Sequence, residues 1–292
     1  LSFQVFPPRT EAGRRELLES GGVLDRLYRE KPDFLCCTYG AGGTDAGKNL
    51  EVLEAVVSAG KTQAMTQLTC AGNTAEGIRE QLRNYLRQGI ACVTALRGGQ
   101  TRMSDGLSDE AELVQLIRRE FSDSFTVAVD GAPEGEPLGC SLEGEIARLK
   151  AIQDSGADFL ITRVCWDMDI FKAWMDGIRA AGITLPVMAG VAPVVDQAAT
   201  IRTALATGGC AIPEDLCRLL SDYWIYPNPF VKDPFDAEVE RKRVQFREAG
   251  MAYTAHQIWL YRQWGVDGIH LLTQNRAEDV PAIVRAARNP SF

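Results

Sequence analysis

Short apolar runs rich in β-branched residues recur along the chain, each separated from the next by a longer stretch with the 3.6-residue period of an amphipathic helix. The runs span residues 2–6, 33–38, 63–69, 91–96, 125–130, 159–163, 186–189 and 268–272. Helical periodicity falls between them at 11–29, 47–59, 75–88, 109–121, 142–155, 170–181 and 194–206. A glycine closely precedes several of the runs, at Gly89-Ile90, Gly156-Ala157-Asp158, Gly182-Ile183 and Gly265-Val266-Asp267. That is the signature of a helix C-cap leading into a buried strand.

Eight strands alternating with helices, with no break in composition, predict an α/β fold: one closed (β/α)8 TIM barrel occupying residues 1–292. An open doubly wound sheet is the architectural alternative. The stretch 212–265 is too long for a single connection. It predicts extra helices between strands seven and eight, at 213–222 and 237–264, around a proline-rich aromatic loop at 226–235.

Composition narrows the function. A chain 46% hydrophobic and 24% charged can fill a large core, and its net charge of −8, without a basic block, argues against nucleic acid as partner. The eight cysteines include no C-x-x-C, and five of them (Cys36, Cys37, Cys70, Cys92 and Cys165) lie in or beside strand-like runs, where a thiol behaves as a small hydrophobe. There is no signal-peptide pattern at the first residues, and no apolar run approaches the ~20 residues that span a bilayer. The expectation is a cytoplasmic protein with reduced thiols and no membrane partner.

In such a barrel the site lies at the C-terminal strand ends. This selects 4–9, 38–44, 67–70, 97–100, Asp130, Arg163 and 273–276. Helix capping accounts equally well for Asn73 or Thr74. Gly42 to Asn49 reads G-x-x-x-x-G-K-N, and a P-loop would need Ser or Thr where Asn49 stands, with Asp130 as the second acid. Lys48 on a helix surface is the simpler reading. With two histidines, His256 and His270, a histidine-rich metal site and a Ser-His-Asp triad are unsupported, and no metal is expected. His256 reads as structural, while His270 points either into the barrel or toward the helices. Tyr223, Trp224, Tyr226 and Phe230 either line a planar ligand's pocket or pack within a loop.

Read together, the strand ends resemble the methylenetetrahydrofolate reductase family. The matching pieces, in family order, are Ser2-Phe3-Gln4-Val5-Phe6-Pro7-Pro8-Arg9, Thr38-Tyr39-Gly40-Ala41, Leu68-Thr69-Cys70, Ala95-Leu96-Arg97-Gly98, Ile161-Thr162, Gly190-Val191-Ala192-Pro193, Ile212-Pro213 and Thr273-Gln274-Asn275-Arg276-Ala277. The resemblance implies a (β/α)8 barrel in which NAD(P)H reduces FAD, and the flavin reduces methylenetetrahydrofolate to methyltetrahydrofolate. It implies that a glutamate of the first strand protonates the departing folate nitrogen, while an acid after Arg-Gly of the fourth strand favours the cationic iminium.

The chain departs from that pattern where the chemistry lies. Gln4 replaces the glutamate, Gly99 the acid, Gln67 a histidine, Arg163 a pterin-binding glutamine and Asp130 a tyrosine. The resemblance places Gln4, Gly99 and Asp130 at the reacting centre. It puts Thr38, Gln67, Leu68, Thr69, Arg97, Gly98, Gly99, Asp130, Glu145 and Arg148 around the cofactor, and Gln4, Arg163 and Arg276 on the folate. Asp105 or Asp130 is the replacement acid to expect, and Arg163 could instead pair with Asp130. The expected function is an oxidoreductase with an altered site. The alternative is a folate-binding or methyl-transfer partner that has lost flavin-dependent reduction. A homo-oligomer, or a partner subunit that supplies the missing acid, is compatible with the sequence.

Overall fold

The computed structural model describes residues 1–38, 46–98, 103–135, 141–206, 209–224 and 237–288. Eight parallel strands close in sequence order: β1 (Ser2–Val5), β2 (Phe34–Cys37), β3 (Gln63–Thr69), β4 (Cys92–Leu96), β5 (Thr126–Gly131), β6 (Phe159–Thr162), β7 (Val187–Val191) and β8 (Gly268–Leu272). The ring is sealed by β1 against β8, with Ser2 opposite His270 and Gln4 opposite Leu272. The open doubly wound sheet is thereby excluded.

The helices are α1 (Glu11–Leu18), α2 (Val23–Tyr28), α3 (Ala46–Ala59), α4 (Ala75–Arg87), α5 (Glu110–Phe121), α6 (Leu142–Asp154), α7 (Met168–Ala180), α8 (Gln197–Leu205), α9 (Glu214–Asp222), α10 (Ala237–Gln263) and α11 (Val280–Arg288). The four glycines expected to cap helices take left-handed φ values of +77°, +96°, +76° and +74° at Gly89, Gly156, Gly182 and Gly265. The single helix expected over 11–29 is two. Gly21 turns to φ +77°, and at Gly22 a Cβ would stand 2.4 Å from the Glu16 carbonyl oxygen, so helical continuation gives way to a tight reversal. Two boundaries move because of caps. The Asp167 carboxylate accepts from the Asp169 and Ile170 amides and starts α7 early, whereas Asp196 accepts from Ala199 and starts α8 late.

Period-2 alternation sorts each strand into an outward half, packed under the helices, and an inward half. Phe3, Val5, Leu35, Leu68, Val93, Val127 and Val129 are buried in the main core between sheet and helices. Phe34, Cys36, Met65, Ala128 and Ile161 form a separate cluster, which fills the lower barrel as stacked side-chain layers do in this architecture. Each large apolar side chain taken fully out of water contributes about 1.5–3 kcal/mol.

The long α10 lies against the β6 and β7 exits. Tyr261 Oη donates to the Cys165 carbonyl at 3.0 Å, Gln257 Nε2 to the Trp166 carbonyl at 3.2 Å, and Val194 N to Thr254 Oγ1 at 3.0 Å. A smaller core under α9 and α10 contains Trp166, Leu216 and Phe246. Tyr223 packs edge-on against Phe246 there, so it serves packing; Tyr226 and Phe230 lie outside the described residues. Among the described residues no two cysteines form a disulfide, and burial pushes the Cys36 thiol up to about 12. No described helix is long and apolar enough to cross a membrane.

Candidate functional site

The same alternation that fills the lower barrel with apolar side chains places polar ones one step higher. Above Met65 stands Gln67, above Cys92 stands Thr94, above Ala128 stands Asp130, and above Ile161 stands Arg163. With Gln4 and His270 they line a cavity of about 510 Å³ at the C-terminal end of the barrel, to which Arg97, Gly98 and Glu110 also contribute. Six of the residues expected at the site therefore converge: Gln4, Gln67, Arg97, Gly98, Asp130 and Arg163.

A second chamber of about 680 Å³ opens on the other side of Gln4, bounded by Phe6, Pro7, Arg9, Arg202, Gln274 and Asn275. Gln4, Thr203, Ala206 and Leu272 belong to both walls, so the two spaces meet at the end of β1. Gln274 and Asn275 hold left-handed φ values of +51° and +60°. Asn275 earns its conformation by clamping Phe6, accepting from its amide at 2.8 Å and donating to its carbonyl at 2.9 Å. Sequence reasoning named this loop but not the chamber it encloses.

His270 points into the barrel. Its Nδ1 lies 2.8 Å from Ser2 Oγ, its Nε2 lies 3.3 Å from Gln4 Oε1, and its ring stacks on Phe34 at a centroid distance of 5.9 Å. Burial lowers its pKa from 6.5 to about 4. Between those values the unfolded chain binds a proton that the folded chain does not. Stability is therefore complete above about pH 6.5 and falls by about 3 kcal/mol as pH drops through 4. Urea titrations at pH 4.5 and 7 should show His270→Gln losing part of this difference; an unchanged difference would contradict the assignment.

Opposite Gln4, β5, α5, α6 and the end of β6 build a largely buried network of three carboxylates and two guanidiniums. Arg148 donates from Nε to Glu145 Oε2 at 2.8 Å, from Nη2 to the Asp130 carbonyl at 2.7 Å, and from Nη1 to Glu110 Oε1 at 3.2 Å. Glu145, fully buried, also accepts from the Ala132 amide at 2.8 Å. Arg163 Nε donates to Asp130 Oδ2 at 2.9 Å, which realises the Asp130–Arg163 pairing foreseen as an alternative to ligand contact. With acids in excess, the network leaves one carboxyl poorly compensated. Burial raises the pKa of Glu110, which lines the cavity together with Asp130.

Several expected site residues stand elsewhere. Glu145 and Arg148 spend their hydrogen bonds inside this network rather than on the cavity wall. Leu68 faces the outer core, because odd and even positions of β3 face opposite ways. Thr38 follows β2 with its amide on the Val5 carbonyl, and Thr69 Oγ1 donates to the Ala71 carbonyl; neither lines either chamber. Arg276 reaches Asp196 at 3.4 Å and lines neither chamber. Gly99 lies outside the described residues. Asp105 is exposed, away from the cavity, so it is not positioned as a replacement acid.

Glu110 was missed because an acid in a helix's first turn is adequately explained by the helix dipole. Of the P-loop candidate, 42–45 lie outside the described residues; Asn49 is fully buried against Thr66 and Lys48 is exposed, the arrangement of a helix packed on its strand. His256 is exposed and stacks on Trp259. Among the described residues no cluster of His, Cys, Asp or Glu could hold a metal ion.

Comparison with known proteins agrees with the order of motifs. The sequence profile of the family described as Methylenetetrahydrofolate reductase matches residues 1–288. The chain is similar to Methylenetetrahydrofolate reductase (NADH) 1 of Zea mays, 33% identical over 237 residues, which cover 75% of this chain and 39% of the maize protein. It is similar to 5,10-methylenetetrahydrofolate reductase of Escherichia coli K12, 27% identical over 278 residues, covering 95% of this chain and 87% of that one. The chain thus spans well under half the length of the plant relative. Among solved structures, a dihydropteroate synthase from Coxiella burnetii in complex with pteroic acid superposes with a TM-score of 0.51 at 10% identity, over 100% of this chain and 93% of that one, which shows the fold alone. With its profile match running almost end to end, the chain belongs to the methylenetetrahydrofolate reductase family.

Proposed function

We propose that the protein is an oxidoreductase acting on the one-carbon unit of a reduced folate. Hydride from NAD(P)H and one proton would convert 5,10-methylenetetrahydrofolate to 5-methyltetrahydrofolate, leaving NAD(P)⁺. The observation that carries the reading is the convergence on one cavity of the strand-end positions to which the resemblance assigns cofactor and folate, occupied here by Gln4, Gln67, Arg97, Gly98 and Arg163.

FAD is the hydride carrier the resemblance implies, and the residues present do not fit it as the resemblance arranges them. Glu145 and Arg148, its expected ribose and phosphate contacts, are bound to one another and to Asp130 and Glu110. Two carboxyls, Glu110 and Asp130, face the cavity from that side. This favours a second arrangement in which the nicotinamide reduces the folate directly.

The folate ring must open to an iminium before hydride arrives, and the departing nitrogen needs a proton. Gln4 offers that nitrogen a hydrogen bond and no proton. Glu110, whose pKa burial raises, is the carboxyl on the cavity wall that we assign as the candidate proton donor, although it stands across the cavity from Gln4 and is held by Arg148. The decisive assay supplies purified protein with NADH and methylenetetrahydrofolate and follows both NADH and methyltetrahydrofolate. One NADH consumed per product supports the reading. Added FAD should leave the rate unchanged and acquire no protein-bound absorbance. Binding of methyltetrahydrofolate in calorimetry without NADH oxidation would favour the folate-binding alternative, and no binding would overturn both.

A further inference from the structure

The end of β1 carries a hydrogen-bonded series whose direction can be worked out. Ser2 is fully buried, and among the described residues its hydroxyl has a single partner, His270 Nδ1 at 2.8 Å. A buried hydroxyl with one partner loses least by donating its hydrogen, since an unsatisfied buried donor costs about 1–3 kcal/mol. Nδ1 is then the acceptor. His270 is buried and neutral over the physiological range, so its single proton must sit on Nε2. That N–H points at the Gln4 side-chain oxygen, 3.3 Å away. The Gln4 amide is thereby oriented, with its oxygen turned back to β8 and its NH₂ group turned to the cavities it borders.

We propose that Ser2 and His270 are positioning residues that hold the Gln4 amide as a fixed two-hydrogen donor at the junction of the two chambers. The ligand atom that meets position 4 is then a lone-pair acceptor, such as an unprotonated ring nitrogen or a carbonyl oxygen. Groups that bring only N–H donors to this point, with no lone pair to offer, are rejected. The identity of the ligand as a folate rests on the function proposed above; the orientation of the amide does not.

Two measurements test this independently. The first needs no ligand: ¹⁵N spectra of histidine-labelled protein, with His256→Gln to assign the two rings, should give His270 as the neutral Nε2–H tautomer at pH 7. An Nδ1–H tautomer, or an imidazolium at that pH, would overturn the proposal. The second measures 5-methyltetrahydrofolate binding by calorimetry in the wild type, Ser2→Ala, Gln4→Glu and the double variant. A carboxylate has two equivalent oxygens and no amide to misorient. Ser2→Ala should therefore weaken binding about tenfold when position 4 is glutamine and less than about twofold when it is glutamate, the tenfold step corresponding to loss of one oriented hydrogen bond. Equal losses in both backgrounds would mean that Ser2 acts only through packing and would sink the idea. A wild type that binds no folate would refute the substrate reading, and the tautomer would then decide the positioning inference alone.

Discussion

Gln4→Glu is expected to raise NADH-dependent reduction of methylenetetrahydrofolate by roughly 10²–10⁴-fold in kcat/KM, the usual contribution of a positioned general acid. The pocket already suits the new side chain. Glutamate is close to glutamine in size, one of its oxygens would take the place of Oε1 beside His270 Nε2, and the other would face the junction of the chambers where the amide nitrogen now stands. Because His270 is neutral above about pH 4, it would supply a hydrogen bond to the carboxyl without the charge that would depress its pKa. The gain should appear in kcat, with a KM change of only a few-fold, since the acid matters only as the carbon–nitrogen bond breaks. An unchanged rate would place the proton source elsewhere in the cavity, and Glu110→Gln would then become the informative variant.

Arg148→Met should cost about 3–5 kcal/mol of folding stability, because removing one partner leaves buried charge uncompensated. Arg148 alone bridges Glu145, Glu110 and Asp130, whose side chains are 0%, 4% and 14% exposed. Arg163 reaches only Asp130 of these three among the ion pairs described, so it cannot take over. In urea the midpoint should fall at unchanged slope. The surface ion pair between Arg79 and Glu120 provides the contrast: solvent screens it, and Arg79→Ala should move the urea midpoint far less than Arg148→Met. A loss of similar size for both variants would show that the network contributes nothing beyond surface pairing.

Much of the barrel can be read from the chain because its signals are local. A period of two marks the strands, a period of 3.6 marks the helices, and glycines such as Gly156 close helices where a left-handed residue is needed. The reading failed where a contact distant in the fold decided the outcome. β7 runs on through Gly190 and Val191 because they pair with His270 and Leu271 of β8, partners invisible to any window around residue 190.

The site divides in the same way. Gln4, Gln67, Asp130 and Arg163 were legible because a polar residue at an inward strand position has few structural reasons to be there. His270 was ambiguous because β8 is apolar on both faces and shows no alternation of its own. Glu145, Arg148 and Arg276 were placed on ligands by resemblance. Spacing along the sequence does not reveal that α6 turns its acid and arginine toward β5, or that Asp196, eighty residues from Arg276, stands beside it.

The two chambers share very little wall, and Gln4 is part of what they share. A ligand long enough to occupy both passes a shared wall of Gln4, Thr203, Ala206 and Leu272, and one confined to either chamber still has Gln4 on its boundary. Among those four side chains only the amide of position 4 is a strong hydrogen-bonding group besides the Thr203 hydroxyl, so the same uncharged group borders whatever occupies either space.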